Sequence, residues 1–152
     1  MADFTFNIAL GRVKEYATLG AANDALIIVL LKTTGLQADA TLRDYDDLAA
    51  LLAAANDECD ATNYVRKAVT SATITVDDTN DWVDIDIADQ TWTNLGGATN
   101  NTISKLLVCF DPDTTTGTDS TIVPLTGHDF VVSTDGSSVT AQIASSGFWR
   151  AA

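Results

Sequence analysis

A chain of 152 residues with 21 acidic and 8 basic side chains, net charge −13 at pH 7, lacks the cations whose counterion release drives nucleic-acid binding. Hydrophobic residues at 46% and charged ones at 19% exclude a disordered chain, and the length suits a single core. The longest apolar run, residues 25–31, is far too short to span a bilayer. The two cysteines, Cys59 and Cys109, are too few for a disulfide framework and have no metal-ligand spacing.

In chain order, Phe4, Phe6 and Ile8 alternate with polar neighbours and predict a short strand or extended arm. Leu10, Val13 and Ala17 follow at helical spacing, with Gly20 as a stop. Residues 1–20 are thus expected to be an arm plus a short helix, part of the same unit as a mainly β domain over 21–152. The opening residues lack a basic region followed by an apolar core, so no leader is expected and assembly in a cytoplasm is. Residues 25–31, Ala-Leu-Ile-Ile-Val-Leu-Leu, are of strand length and β-branched, and predict a buried central strand. Thr41 with Asp44 three positions on resembles a capping box, and Leu42, Tyr45, Leu48, Leu51 and Leu52 supply an apolar face. A helix over about 42–56 is expected, with Asp44, Asp46 and Asp47 at the positive end of its dipole.

Beyond Tyr64 the pattern changes to short β segments, expected near 64–69, 72–76, 82–87, 103–110, 120–125, 129–134 and 138–143. Val83, Ile85 and Ile87 are expected to face inward and Asp84 and Asp86 to face water. Asp135-Gly136, between Val131-Val132 and Val139, is the strongest short hairpin signal. The strand spacing predicts a mainly β fold, a β-sandwich or partly open barrel with one or two helices in its first half; α+β is the fallback.

Signs of chemistry are few. The single histidine, His128, is read as a turn residue, and no G-x-S-x-G elbow accompanies it. Residues 111–119 resemble a calcium loop, but Gly117 falls at the seventh position and Ile122 occupies the twelfth, where a bidentate Glu is required. They and residues 77–81 are read as surface loops, so no metal and no cofactor is expected. Asp84 and Asp86 match a glycosidase dyad in residue type only, and no catalytic residue is assigned. Lys105 is the only basic residue between Ala68 and Trp149. Trp82 and Trp92 are read as core. Residues 147–152, Gly-Phe-Trp-Arg-Ala-Ala, either close a sheet as a last strand or dock on a neighbour, because bulky aromatics and Arg anchor interfaces. Phe4, Phe6, Ile8, Phe148, Trp149 and Arg150 are the candidate interface residues.

The chain also resembles a group of small structural proteins of tailed bacteriophages. The likeness is carried by residues 6–13 (Phe-Asn-Ile-Ala-Leu-Gly-Arg-Val), the strand at 25–31, Asp39-Ala40-Thr41-Leu42 leading to 46–52, Asn56-Asp57-Glu58 and Tyr64-Val65-Arg66-Lys67. It continues through residues 89–93, 105–111 and 124–130, so it spans nearly the whole chain, although none of these motifs is a site. The resemblance implies a place in the virion. A head decoration protein is the expected role, bound to the major capsid protein and to its own copies, a trimer being preferred because capsid lattices present threefold positions. A tail-tip or receptor-binding module is the alternative, and a hydrolase of cell-wall glycans a further one; neither a nucleic-acid nor a membrane partner is expected.

Overall fold

The computed structural model describes residues 3–151. Met1, Ala2 and Ala152, which the expected arm and tail include, lie outside the described residues. Over the described residues the protein is mainly β, with several antiparallel sheets and three short helices.

The centre is a five-stranded antiparallel sheet of β1 (Phe4–Thr5), β8 (Val123–Ser133), β7 (Thr102–Asp111), β2 (Ala25–Lys32) and β3 (Lys67–Val69), in that order. β2 and β7 are near-continuous apolar runs because both faces of the sheet are covered. On β2, Ala25, Ile27, Val29 and Leu31 enter one core, and Leu26, Ile28 and Leu30 the other. The first core lies under α2 (Asp39–Leu42) and α3 (Leu48–Ala53), which contribute Leu42, Leu48 and Leu51. The second holds Val13 and Ala17 of α1 (Val13–Ala17), Ile85 of β5 (Trp82–Asp86), Trp92 of β6 (Gln90–Trp92), Ala141 of β9 (Val139–Ala141) and Phe148. β5 is the middle strand of a small sheet between β4 (Thr73–Asp77) and β10 (Trp149–Ala151), while β6 and β9 pair separately.

Several local expectations are corrected. The helix expected over 42–56 is two helices separated at 43–47, because Asp47 is extended and its carboxylate accepts from Ala50 N at 2.7 Å, capping a new start. Thr41 lies inside α2, whose cap is Ala38 without a side-chain bond. Leu10 is exposed and Ile8 sits in a 3₁₀ turn over Asn7–Ala9 rather than in a strand. The strands expected at 120–125 and 129–134 are one, β8, so His128 is a strand residue and not a turn histidine. Asp135-Gly136 closes no hairpin between its neighbours: Gly136 N donates to Leu95 O and Leu95 N to Ser137 O, both at 2.9 Å. Those bonds carry β9 across to β6.

The break in apolarity that hides β8 has a packing reason. Gly127 pairs with Phe4, and a Cβ there would lie 2.6 Å from Phe4 Cζ, so the ring occupies the space a side chain would take. Gly127→Ala is therefore expected to push Phe4 off the sheet at a cost of about 1–3 kcal/mol. Urea unfolding reads this as a lower midpoint, and an unchanged midpoint would show that Phe4 does not seat on Gly127.

Candidate interaction surface

The structure brings the two candidate interface segments together, although mostly inside the fold. Phe4 and Phe6 are 8% and 0% exposed, their rings 5.1 Å apart, and they fill the core beneath α2 and α3. They are corrected from interface to core: β1 pairs with β8 of its own chain, and Phe6 N donates to Leu125 O at 2.9 Å. Ile8 is half-buried against both cores.

The segment around Phe148 closes a sheet as its last strand, the first of the two expected alternatives. Trp149, Arg150 and Ala151 pair with Ile85, Asp84 and Val83, while Phe148 is buried. Gly147 makes the approach, with φ +79° and no room for a Cβ, which would meet Ile85 O at 2.1 Å. Trp149 Nε1 donates to Thr5 Oγ1 at 3.1 Å and so ties β10 to β1. Arg150 is the most exposed of the six, yet its guanidinium grips Asp84 at 2.5 and 2.7 Å and lies 3.8 Å from the Trp82 ring centroid.

That grip also corrects the expected water-facing row on β5. Asp84 is largely enclosed, with its side chain 15% exposed, and the Arg150 hydrogen bonds hold its carboxyl below the usual range. A glycosidase acid needs the opposite shift. Val83, expected inward, is only half-buried.

The acidic loops satisfy themselves. Asp113 accepts from the backbone and hydroxyl of both Thr115 and Thr116, which hold it far below its ordinary value. Asp77 accepts from Thr79 N, Asn80 N and Asn80 Nδ2. No group of three His, Cys, Asp or Glu able to hold a metal lies among the described residues. Burial pushes the thiols of Cys59 and Cys109 up, so both are inert packing groups.

The cations follow the same pattern. Arg66 makes paired bonds to Glu58 (2.8 and 2.6 Å) and to Asp119 (2.5 and 2.9 Å). Glu58 Oε1 also accepts from Tyr64 Oη, which receives Leu30 N at the edge of β2. Lys32 meets Asp60 at 3.3 Å, Arg12 meets Glu15 at 3.1 Å, and Arg43 and Lys67 lie over Phe4 and Trp92. With Lys105 and Arg150, seven of the eight basic side chains bind acids or rings of this chain. Of the carboxylates without a cation, Asp24 and Asp111 are buried and accept backbone N–H groups of Ala21 and Asp113, and most of the others lie at the surface.

One part of the surface is built differently. β8 has β7 along one side, but on the other β1 covers only Gly127 and Thr126. Asp129 N is taken by Asp3 Oδ1 at 3.1 Å. From residue 130 to 133 no strand of the described residues runs along that edge, and Val131 is 79% exposed, the most of any large apolar side chain described. On the opposite face of β8 from Val131 opens a pocket of about 240 Å³ walled by Leu106, Val108, Phe130, Ile143 and Phe148. His128 stands at its rim, Nδ1 3.2 Å from Asp3 Oδ2 and Nε2 sharing a 2.8 Å hydrogen bond with Thr126 Oγ1. A free strand edge beside an apolar pocket is what strand addition requires: main-chain bonds for affinity and a socket for one side chain.

Sequence reasoning missed Phe130, Val131 and Ile143 because it divided β8 in two. Joined across Gly127, the eleven residues Val123–Ser133 are too long for the two-residue β1 to cover, and that excess length was the available signal. No family model, no curated protein and no solved structure matches the chain.

Proposed function

We propose that the protein is a non-catalytic structural component of a tailed-bacteriophage particle, a decoration protein on the outside of the head lattice. Its partners are the major capsid protein and its own copies, grouped as a trimer at threefold positions. The observation that carries the reading is the open edge of β8, with Val131 on one face and the pocket on the other, set in a surface otherwise rich in carboxylates. An acidic surface keeps free subunits soluble and mutually repelled before assembly. The β8 edge then gives one directional contact, to which a shell subunit adds an extended segment. The resemblance of the sequence to small tailed-phage structural proteins supports the same location.

The test is co-sedimentation of the purified protein with heads assembled without it. Wild type is expected to saturate the heads, while Val131→Lys, on an already exposed site, keeps its melting temperature and loses binding at least tenfold. Equal binding by the variant would remove β8 as the contact. Failure to bind heads together with adsorption to host cells would move the protein to the tail tip.

A further inference from the structure

Lys105 is unusual among the cations: its side chain is 0% exposed. A bulge in β7 between Ile103 and Lys105 sets it opposite Leu31, on the helix-covered face of the sheet. There its Nζ lies 2.6 Å from Asp129 Oδ1 and 3.0 Å from Asp39 Oδ1, with the Phe4 ring centroid 5.2 Å away. The two carboxylates differ. Asp129, the neighbour of Lys105 across β7 and β8, takes a hydrogen bond from it. Asp39, the first residue of α2, turns toward it an Oδ1 that is sealed from solvent and has no hydrogen bond. The ammonium is within ion-pair distance of Asp39 without being in hydrogen-bonding geometry.

We propose that Lys105 and Asp39 condense to an intramolecular isopeptide bond, with Asp129 carrying the proton. Asp129 is placed for the role: its Oδ1 already accepts a 2.6 Å hydrogen bond from Nζ, along which the proton can pass. It takes one proton from the Lys105 ammonium, and the freed Nζ lone pair attacks Cγ of Asp39. A C–N bond forms, and the tetrahedral centre then collapses with cleavage of one C–O bond. The leaving oxygen departs as water, taking the proton returned by Asp129 and the second nitrogen proton. An ammonium and a carboxylate become a neutral amide plus one water, so no oxidant, nucleotide or other reactant is needed. With Nζ 3.0 Å from an oxygen of the carboxyl it attacks, the two groups gain the rate advantage of an intramolecular pair. The same burial supplies a driving force, since two desolvated charges disappear. The product fastens the helical layer to the middle strand of the sheet, and the inference is independent of where in a particle the protein sits.

The experiment is intact-mass and tryptic-peptide analysis of the freshly purified, denatured full chain. The expected mass is one water below that of the sequence. The peptide of residues 33–43, which contains Asp39, is expected to be absent in free form and to be found branched onto residues 68–150, uncut at Lys105. Asp129→Asn and Lys105→Arg are expected to fold, judged by circular dichroism, and to show the full sequence mass. If either variant does not fold, the wild-type peptide map decides alone. Wild-type protein at full sequence mass would overturn the proposal. So would a one-water loss with peptide 33–43 released free, the pattern of a succinimide at Asp135-Gly136. A linked Asp129→Asn protein would overturn the proton-carrying role.

Discussion

Trp92→Ala is expected to lower the free energy of unfolding by about 3–5 kcal/mol, the range for truncating a large buried aromatic. Trp92 is 1% exposed and belongs to the core between the five-stranded sheet and the smaller strands. Its indole also does polar work: Nε1 donates to Val65 O at 2.8 Å, and Lys67 Nζ lies 5.7 Å from the ring centroid. Removing the ring opens a cavity, leaves the Val65 carbonyl without its donor and strips Lys67 of its cation–π contact. Trp92→Phe keeps most of the apolar volume and loses mainly the hydrogen bond, so about 1 kcal/mol beyond the small change in volume is expected. Denaturant unfolding of both variants checks this. Equal losses would mean that the hydrogen bond, not the packing, holds β6 in place.

Arg66→Ala is the second large effect, with an expected loss of about 2–3 kcal/mol. Removing one partner of a buried ion pair costs about 3–5 kcal/mol, and Arg66 with its side chain 28% exposed falls somewhat below that through solvent screening. Both Glu58 and Asp119 lose a two-pronged partner, and the Tyr64 hydroxyl that anchors Leu30 N loses the arginine beside Glu58. The change also has a pH signature. The Arg66 hydrogen bonds hold the Asp119 carboxyl below its ordinary value. A group with a depressed folded value adds stability that is fully present above its unfolded pKa, about 3.9 for Asp, and is lost as pH falls through the folded value. Wild type should therefore weaken on acidification below about pH 4, and Arg66→Ala should weaken less steeply there. Parallel acid limbs would show that Asp119 gains nothing from Arg66.

The parts of the fold that could be read from sequence are those whose signal is local. Residues 25–31 and 103–110 are apolar without alternation, and only a strand covered on both faces uses such a run. The C-terminal aromatics were legible as a last strand, but only as one of two alternatives, because a pattern of residues does not say which chain supplies the partner. The same ambiguity misplaced Phe4 and Phe6. Their alternation is genuine, yet the edge they cover belongs to their own β8 and the cavity they fill lies under their own helices. Asp135-Gly136 failed for a related reason. Its turn chemistry is correct, with Asp135 accepting from Ser137 N and Oγ, but Leu95, forty residues away, decides where the strand after it goes. The candidate site was hidden because it depends on lengths compared across the sheet, eleven residues of β8 against two of β1. Lys105 was visible as a lone cation in an apolar run, but its acidic partners come from β8 and α2, far from it in sequence, and no local pattern names them.

The central claim is a lattice-bound structural role, and the copy number of this chain in purified virions tests it most directly. Quantitative mass spectrometry against the major capsid protein is expected to give a ratio near that of the shell subunit, as one copy per lattice position requires. A ratio of a few per cent or less would contradict the claim and assign the protein to the tail or its tip.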